Sequence, residues 1–178
     1  RTPQMRGHHH RGAGLQRVDG RLDRAVAGDH QDPDLGVDLP GEASLAVGQV
    51  VYTPWCDDDG KVIDDGTVAR LAENRVRWTA ADPNFRWLVQ HALGLRVHVE
   101  DVSEQVAALA LQGPTSARLL AAVSDLPIAT LKYFRAGSGT IAGVPVEVTR
   151  TGYTGDLGYE LWMPWERAVD VWDALVAA

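Results

Sequence analysis

From Val47 onward, apolar and polar residues follow one another with a readable period; before that point they do not. Gln49 to Trp55 reads as a strand, Cys56 to Lys61 as a polar turn, and Val62 to Leu71 as a second strand with an acidic interruption, which together predict a hairpin. Ala72 to Arg75 turns the chain into a short strand over Val76 to Ala80. Asp82-Pro83 then combines an N-capping carboxylate with a proline whose fixed φ suits the first helical position, so a helix is predicted to His91, closing near Gly94. Val97 and Val99 alternate with His98 and Glu100, and Val106 to Leu111 is a short apolar run, so both are strand candidates. Gly113-Pro114 opens a second helix through Val123. Val144, Val146 and Val148 alternate with Pro145, Glu147 and Thr149, the period of a strand with one buried face. Arg150 ends that strand, and Tyr159 to Trp162 starts the next. Finally, Trp165, Ala168, Val169, Trp172, Leu175 and Val176 recur at helical spacing among charged residues, predicting an amphipathic helix with its tryptophans in the core.

Hairpins mixed with helices, without regular βαβ alternation, make the expected class α+β: mixed or antiparallel sheets with packed helices. Residues 1 to 45 differ in kind. They contain no Ile, Phe, Trp, Tyr, Lys, Asn or Cys. A segment without large core side chains buries too little to offset the entropy of ordering it, so poor order is expected. A GC-rich gene read in the wrong frame yields the same vocabulary, which makes a non-native segment the second expectation, with normal sequence resuming near Leu45. His8-His9-His10 lies inside it and reads as a solvated basic stretch, because three consecutive imidazoles do not converge on one ion without other ligands. The chain stops directly after its last predicted helix and reads as truncated.

Composition narrows the function only a little. A hydrophobic content of 45% with 23% charged residues is ordinary for a folded domain, and no window approaches the roughly 18 uninterrupted apolar residues of a membrane span. A net charge of −7 argues against general nucleic-acid binding, which needs a basic surface. Cys56 is the only cysteine, so no internal disulfide forms; with no basic-then-apolar signal region at the N-terminus, the expected location is cytoplasmic.

Two stretches carry candidate chemistry. In Arg150-Thr-Gly-Tyr-Thr-Gly-Asp-Leu-Gly-Tyr-Glu160, Gly152, Gly155 and Gly158 permit close approach to the backbone. A glycine-rich hairpin explains them, but Glu160 adds a carboxylate able to accept two parallel hydrogen bonds from a ring with adjacent N–H donors. In Val62-Ile-Asp-Asp-Gly66, adjacent strand residues face opposite sides, so either one carboxylate points inward or the strand bulges and both are solvated. A buried carboxylate is costly and therefore a functional candidate. Asp57-Asp58-Asp59 reads as a hairpin turn rather than a calcium loop, and Ser116 as a capping hydroxyl in a helix's first turn.

Taken together, Gly60-Lys-Val-Ile-Asp-Asp65, Ala110-Leu-Gln-Gly-Pro-Thr115 and Arg150-Thr-Gly-Tyr-Thr-Gly155 with Gly158-Tyr-Glu160 resemble the folate-binding core of the glycine-cleavage T-protein (aminomethyltransferase) family, from about Leu45 to Ala178. The resemblance implies an incomplete folate-binding domain over residues 46–178 with ferredoxin-like elements, and tetrahydrofolate as cofactor. It implies transfer of an aminomethyl or other one-carbon unit, with Asp65 as the catalytic carboxylate beside the reacting folate nitrogens. Glu160 would hold the pteridine ring, with Tyr153 in the cavity wall and the glycines making room for the flat heterocycle. A lipoyl carrier protein, the glycine-cleavage H-protein, is the implied partner. Departures leave the donor open. Asp65-Gly-Thr-Val-Ala69 replaces the family's apolar continuation, and Thr79-Ala-Ala-Asp82 stands where many members have a Ser-Asn pair. A folate-dependent N-, O- or S-demethylase of the same family and a non-catalytic folate-binding module are the alternatives, and with the family's flanking parts missing the fragment itself is expected to be inactive or impaired.

Overall fold

Two five-stranded sheets organise the described residues of the computed structural model, which are 14–17 and 25–28 as strand backbone, 45–81 and 84–178. In chain order the elements are β1 (Gly14–Arg17), β2 (Ala25–Gly28), β3 (Val50–Cys56), β4 (Val62–Ala72), β5 (Arg75–Ala80), α1 (Phe85–His91), β6 (Val97–Glu100), β7 (Val106–Gln112), α2 (Ser116–Val123), β8 (Ala136–Ile141), β9 (Val144–Thr149), β10 (Gly158–Pro164) and α3 (Ala168–Ala177). One sheet runs β1-β7-β10-β9-β8 and the other β3-β4-β5-β2-β6, with antiparallel pairing in both. The class is α+β, as the sequence predicts. His8-His9-His10 and the Asp82-Pro83 cap lie outside the described residues.

The main core follows from alternation on the first sheet. Ala107, Leu109 and Leu111 of β7, Val144, Val146 and Val148 of β9, and Tyr159, Leu161 and Met163 of β10 share one face. Against them pack Leu120 of α2 and Val171 and Leu175 of α3, all buried. The last helix departs from expectation. Its buried stripe is Ala168, Val171, Trp172 and Leu175, the i, i+3, i+4, i+7 set, while Val169 and Val176 are exposed. Trp165 lies ahead of the helix in a 3-10 turn and is exposed rather than in the core.

The strand β8, Ala-Gly-Ser-Gly-Thr-Ile, has no apolar alternation and was not expected. Its glycines are packing sites: a Cβ on Gly139 would stand 2.0 Å from Leu126, and one on Gly137 3.1 Å from it. Ala142 and Gly143, both at positive φ, join β8 to β9 in a tight hairpin. The two sheets meet where Val50 N donates to Phe134 O (3.0 Å) and Ala136 N to Gly48 O (2.8 Å).

Candidate active site

The face of the first sheet turned away from α2 and α3 has a different composition. Gly158, Glu160 and Trp162 of β10 stand in register with Gln112, Ala110 and Ala108 of β7, and with Thr149 and Glu147 of β9. The small alanines leave the floor beside Glu160 low. On the second sheet, alternation and register group Tyr52 and Pro54 with Asp65, Thr67 and Ala69, and these with Thr79 and Arg77. Arg77 shows that these two faces oppose each other: its Nη1 is 2.5 Å from Glu147 Oε2, and its guanidinium lies 4.0 Å from the centroid of the Trp162 ring. Asp65 and Glu160 thus belong to facing walls of one cleft.

The aspartate pair divides as strand geometry requires. Asp64 is half-buried on the outer face, where its Oδ2 accepts from Asn84 Nδ2 at 2.7 Å. Asn84 in turn accepts from Trp55 Nε1 at 3.4 Å, so the half-buried carboxylate is matched by an amide beside a small Trp55–Trp78 cluster. Asp65 is exposed on the cleft face and accepts a hydrogen bond from the Tyr52 hydroxyl. That bond raises the Tyr52 phenol above its ordinary pKa, with a smaller electrostatic push from Tyr153. Tyr52 is therefore a donor throughout the neutral range. Tyr153 itself is fully exposed, near enough to Tyr52 to act on it electrostatically.

Glu160 ends a relay of hydroxyls. Trp162 Nε1 donates to Thr149 Oγ1 (3.3 Å), Thr149 and Thr151 share a hydroxyl contact of 2.7 Å, and Thr151 donates to Glu160 Oε2. An indole N–H only donates and a carboxylate only accepts, so the Thr149 proton goes either to Thr151 or, at 3.3 Å, directly to Glu160 Oε2. One carboxylate oxygen is thereby held, while Oε1 has no partner among the described residues.

The glycines of the 150–160 segment serve a side chain of the protein itself. A Cβ on Gly158 would stand 1.6 Å from Gln112 Oε1, and one on Gly152 2.2 Å from it. The room expected for a heterocycle at those two positions is filled by the buried Gln112, whose Nε2 donates to Tyr159 O at 3.2 Å. Gly155, at φ 74°, makes the turn between them. Ser116 does not cap its helix. Its hydroxyl donates to Leu157 O at 3.2 Å, tying α2 to this loop.

A family profile described as the GCVT N-terminal domain matches residues 39–178, most of the chain. This chain belongs to that family. An aminomethyltransferase of Halothermothrix orenii is 41% identical over 140 residues, 76% of this chain and 39% of the relative. One of Streptomyces coelicolor is 40% identical over 149 residues, 82% of this chain and 38% of the relative. The chain thus spans about two fifths of the length of these curated relatives. The crystal structure of glycine cleavage system aminomethyltransferase T from Bartonella henselae superposes with a TM-score of 0.77 at 30% identity, over 92% of this chain and 45% of that one. Heterotetrameric sarcosine oxidase from Corynebacterium sp. U-96 shares the fold (TM-score 0.67, 20% identity, 96% of this chain and 85% of that one).

Within this GCVT domain the sequence reading missed Tyr52, Gln112, Thr149, Thr151 and above all Arg77. The signal for Arg77 was its place in Arg75-Val-Arg-Trp-Thr-Ala80, where polar residues at 75, 77 and 79 alternate with apolar ones. Among the described residues no group of three or more His, Cys, Asp and Glu is placed to hold a metal ion, and no helix is long and apolar enough to cross a membrane.

Proposed function

We propose that this GCVT domain binds tetrahydrofolate between its two sheets and forms part of an aminomethyltransferase of the glycine-cleavage type. The observation that carries the reading is the half-satisfied Glu160: one oxygen is fixed by Thr151 and Thr149, and the other has no partner among the described residues, on the cleft face opposite Asp65. A carboxylate arranged in this way fits a ring with N–H donors on its edge. When bound, the reduced folate supplies the nitrogens that accept the one-carbon unit. Glu160 holds and orients the ring. Asp65 supplies a negative charge fixed by Tyr52, which stabilises positive charge developing nearby without reorganising. Tyr153 closes over the ligand.

Residues 46–178 are, in this reading, an incomplete folate-binding domain acting in the cytoplasm, and residues 1–45 lie outside it. The aminomethyl donor is a lipoyl carrier protein such as the glycine-cleavage H-protein. The test is calorimetric titration with tetrahydrofolate. Glu160→Gln should weaken binding by about 1–3 kcal/mol, the cost of losing a charged hydrogen bond. Equal affinity in the variant would put the ring elsewhere.

A further inference from the structure

We propose that Arg77 is a positioning residue for Glu160, acting through Trp162; the inference rests on the folate reading above. Arg77 is 6% exposed and stands on the cleft face of β5. Its Nη1 is paired with Glu147, its Nη2 is buried with no hydrogen-bond partner among the described residues, and the flat guanidinium covers the Trp162 ring. Such an arrangement does not follow from stability alone, because a buried cation with an unmatched donor is costly where an apolar side chain would pack as well.

What the arrangement provides is a fixed indole. With Arg77 over one side of its ring, Trp162 keeps Nε1 aimed at Thr149, and the relay through Thr151 delivers a donor to Glu160 Oε2. The guanidinium also acts directly. Its charged neighbours are Glu147 on β9, Glu160 on β10 and Arg75 on its own strand, while the Thr149 and Thr151 hydroxyls face Glu160. Burial pulls the Arg77 pKa down to about 10, the two glutamates pushing the other way, so it remains a cation at neutral pH. A ligand lying on Glu160 strips water from that carboxylate and raises the cost of its bare charge. Arg77 opposes this and keeps Glu160 an acceptor when the cleft is filled.

The experiment is tetrahydrofolate titration of the full-length protein at neutral pH, for wild type, Arg77→Met, Arg77→Lys and Trp162→Phe. Arg77→Met should bind roughly tenfold more weakly. Arg77→Lys, which keeps the charge but not the flat stacking group, should recover part of that loss but not the full affinity. Trp162→Phe keeps an aromatic ring for Arg77 and removes only the relay's first donor, so it tests the relay even if Arg77→Met fails to fold. It should weaken binding by less than Arg77→Met, because the Arg77 charge remains. Wild-type affinity in Arg77→Met, or in both Arg77→Lys and Trp162→Phe where the methionine variant is unfolded, would overturn the proposal for Arg77 and leave the folate site standing. No binding by the wild type would overturn both readings.

Discussion

The two faces of β10 differ more than two separate domains often do. Tyr159, Leu161 and Met163 go into a core closed by α2 and α3, built of aliphatic and aromatic side chains. Gly158, Glu160 and Trp162, interleaved with them, go into a cleft whose polar groups are matched singly, by hydroxyl, indole and guanidinium. One strand thus carries two kinds of selection at alternate positions. The core face holds the strand rigid, and that rigidity lets the cleft face keep a half-satisfied carboxylate in place.

Breaking the core face should have the largest effect. Leu161→Ala removes a fully buried side chain and should cost about 2–5 kcal/mol in chemical denaturation. The fraction still folded should bind ligand with wild-type affinity; a matching loss of affinity would mean that the faces are not separable. Asp65→Asn tests the opposite wall. The full-length protein should lose roughly 10²–10³ in transfer rate, as when one preorganised electrostatic group is removed, with folate affinity changed only a few-fold. Its unfolding midpoint should not move, because Asp65 is exposed and its bond to Tyr52 is at the surface. Undiminished turnover would remove Asp65 from the chemistry.

The smallest effect sharpens the contrast with a carboxylate outside the cleft. Both oxygens of Asp125 are used internally: the Thr140 N–H and hydroxyl donate to it and hold its pKa below the usual carboxylate range. A depressed folded pKa contributes stability that is present above the unfolded value and disappears as pH falls through the folded one. Acid titration of stability should therefore show a slight decline below about pH 4 in wild type that Asp125→Asn lacks. Ligand binding should be the same in both, since Asp125 has no free oxygen to offer.

Much of the fold was legible because burial on one face writes itself as alternation, as in Val144 to Thr149. The exception, β8, shows the limit. Its Gly137 and Gly139 are there for Leu126, a contact made by a residue distant in sequence, so nothing local marks them as strand. The candidate site was legible in part. That Asp64 and Asp65 must separate follows from strand geometry, but the choice of Asp65 for the cleft depends on which face the second sheet presents. Glu160 stood out as an acid after glycines. The purpose of those glycines did not, because Gln112 reaches them from β7, a neighbouring strand distant in sequence. Arg77 gains its meaning only when the two sheets are brought face to face.

The pairing of β10 with β7 runs without irregularity from Gly158 opposite Gln112 to Pro164 opposite Val106. Because strand faces alternate with a period of two, a slip of one residue in that ladder would carry Glu160 and Trp162 into the core and Leu161 into the cleft. Single-residue insertions and deletions inside β10 are therefore the changes this chain can least absorb, whereas a shift of two residues would keep each side chain on its own face while moving all of them along the ladder and taking Gly158 from beside Gln112. The ladder works as a parity check on the sequence, and the same error that destroys the core destroys the site.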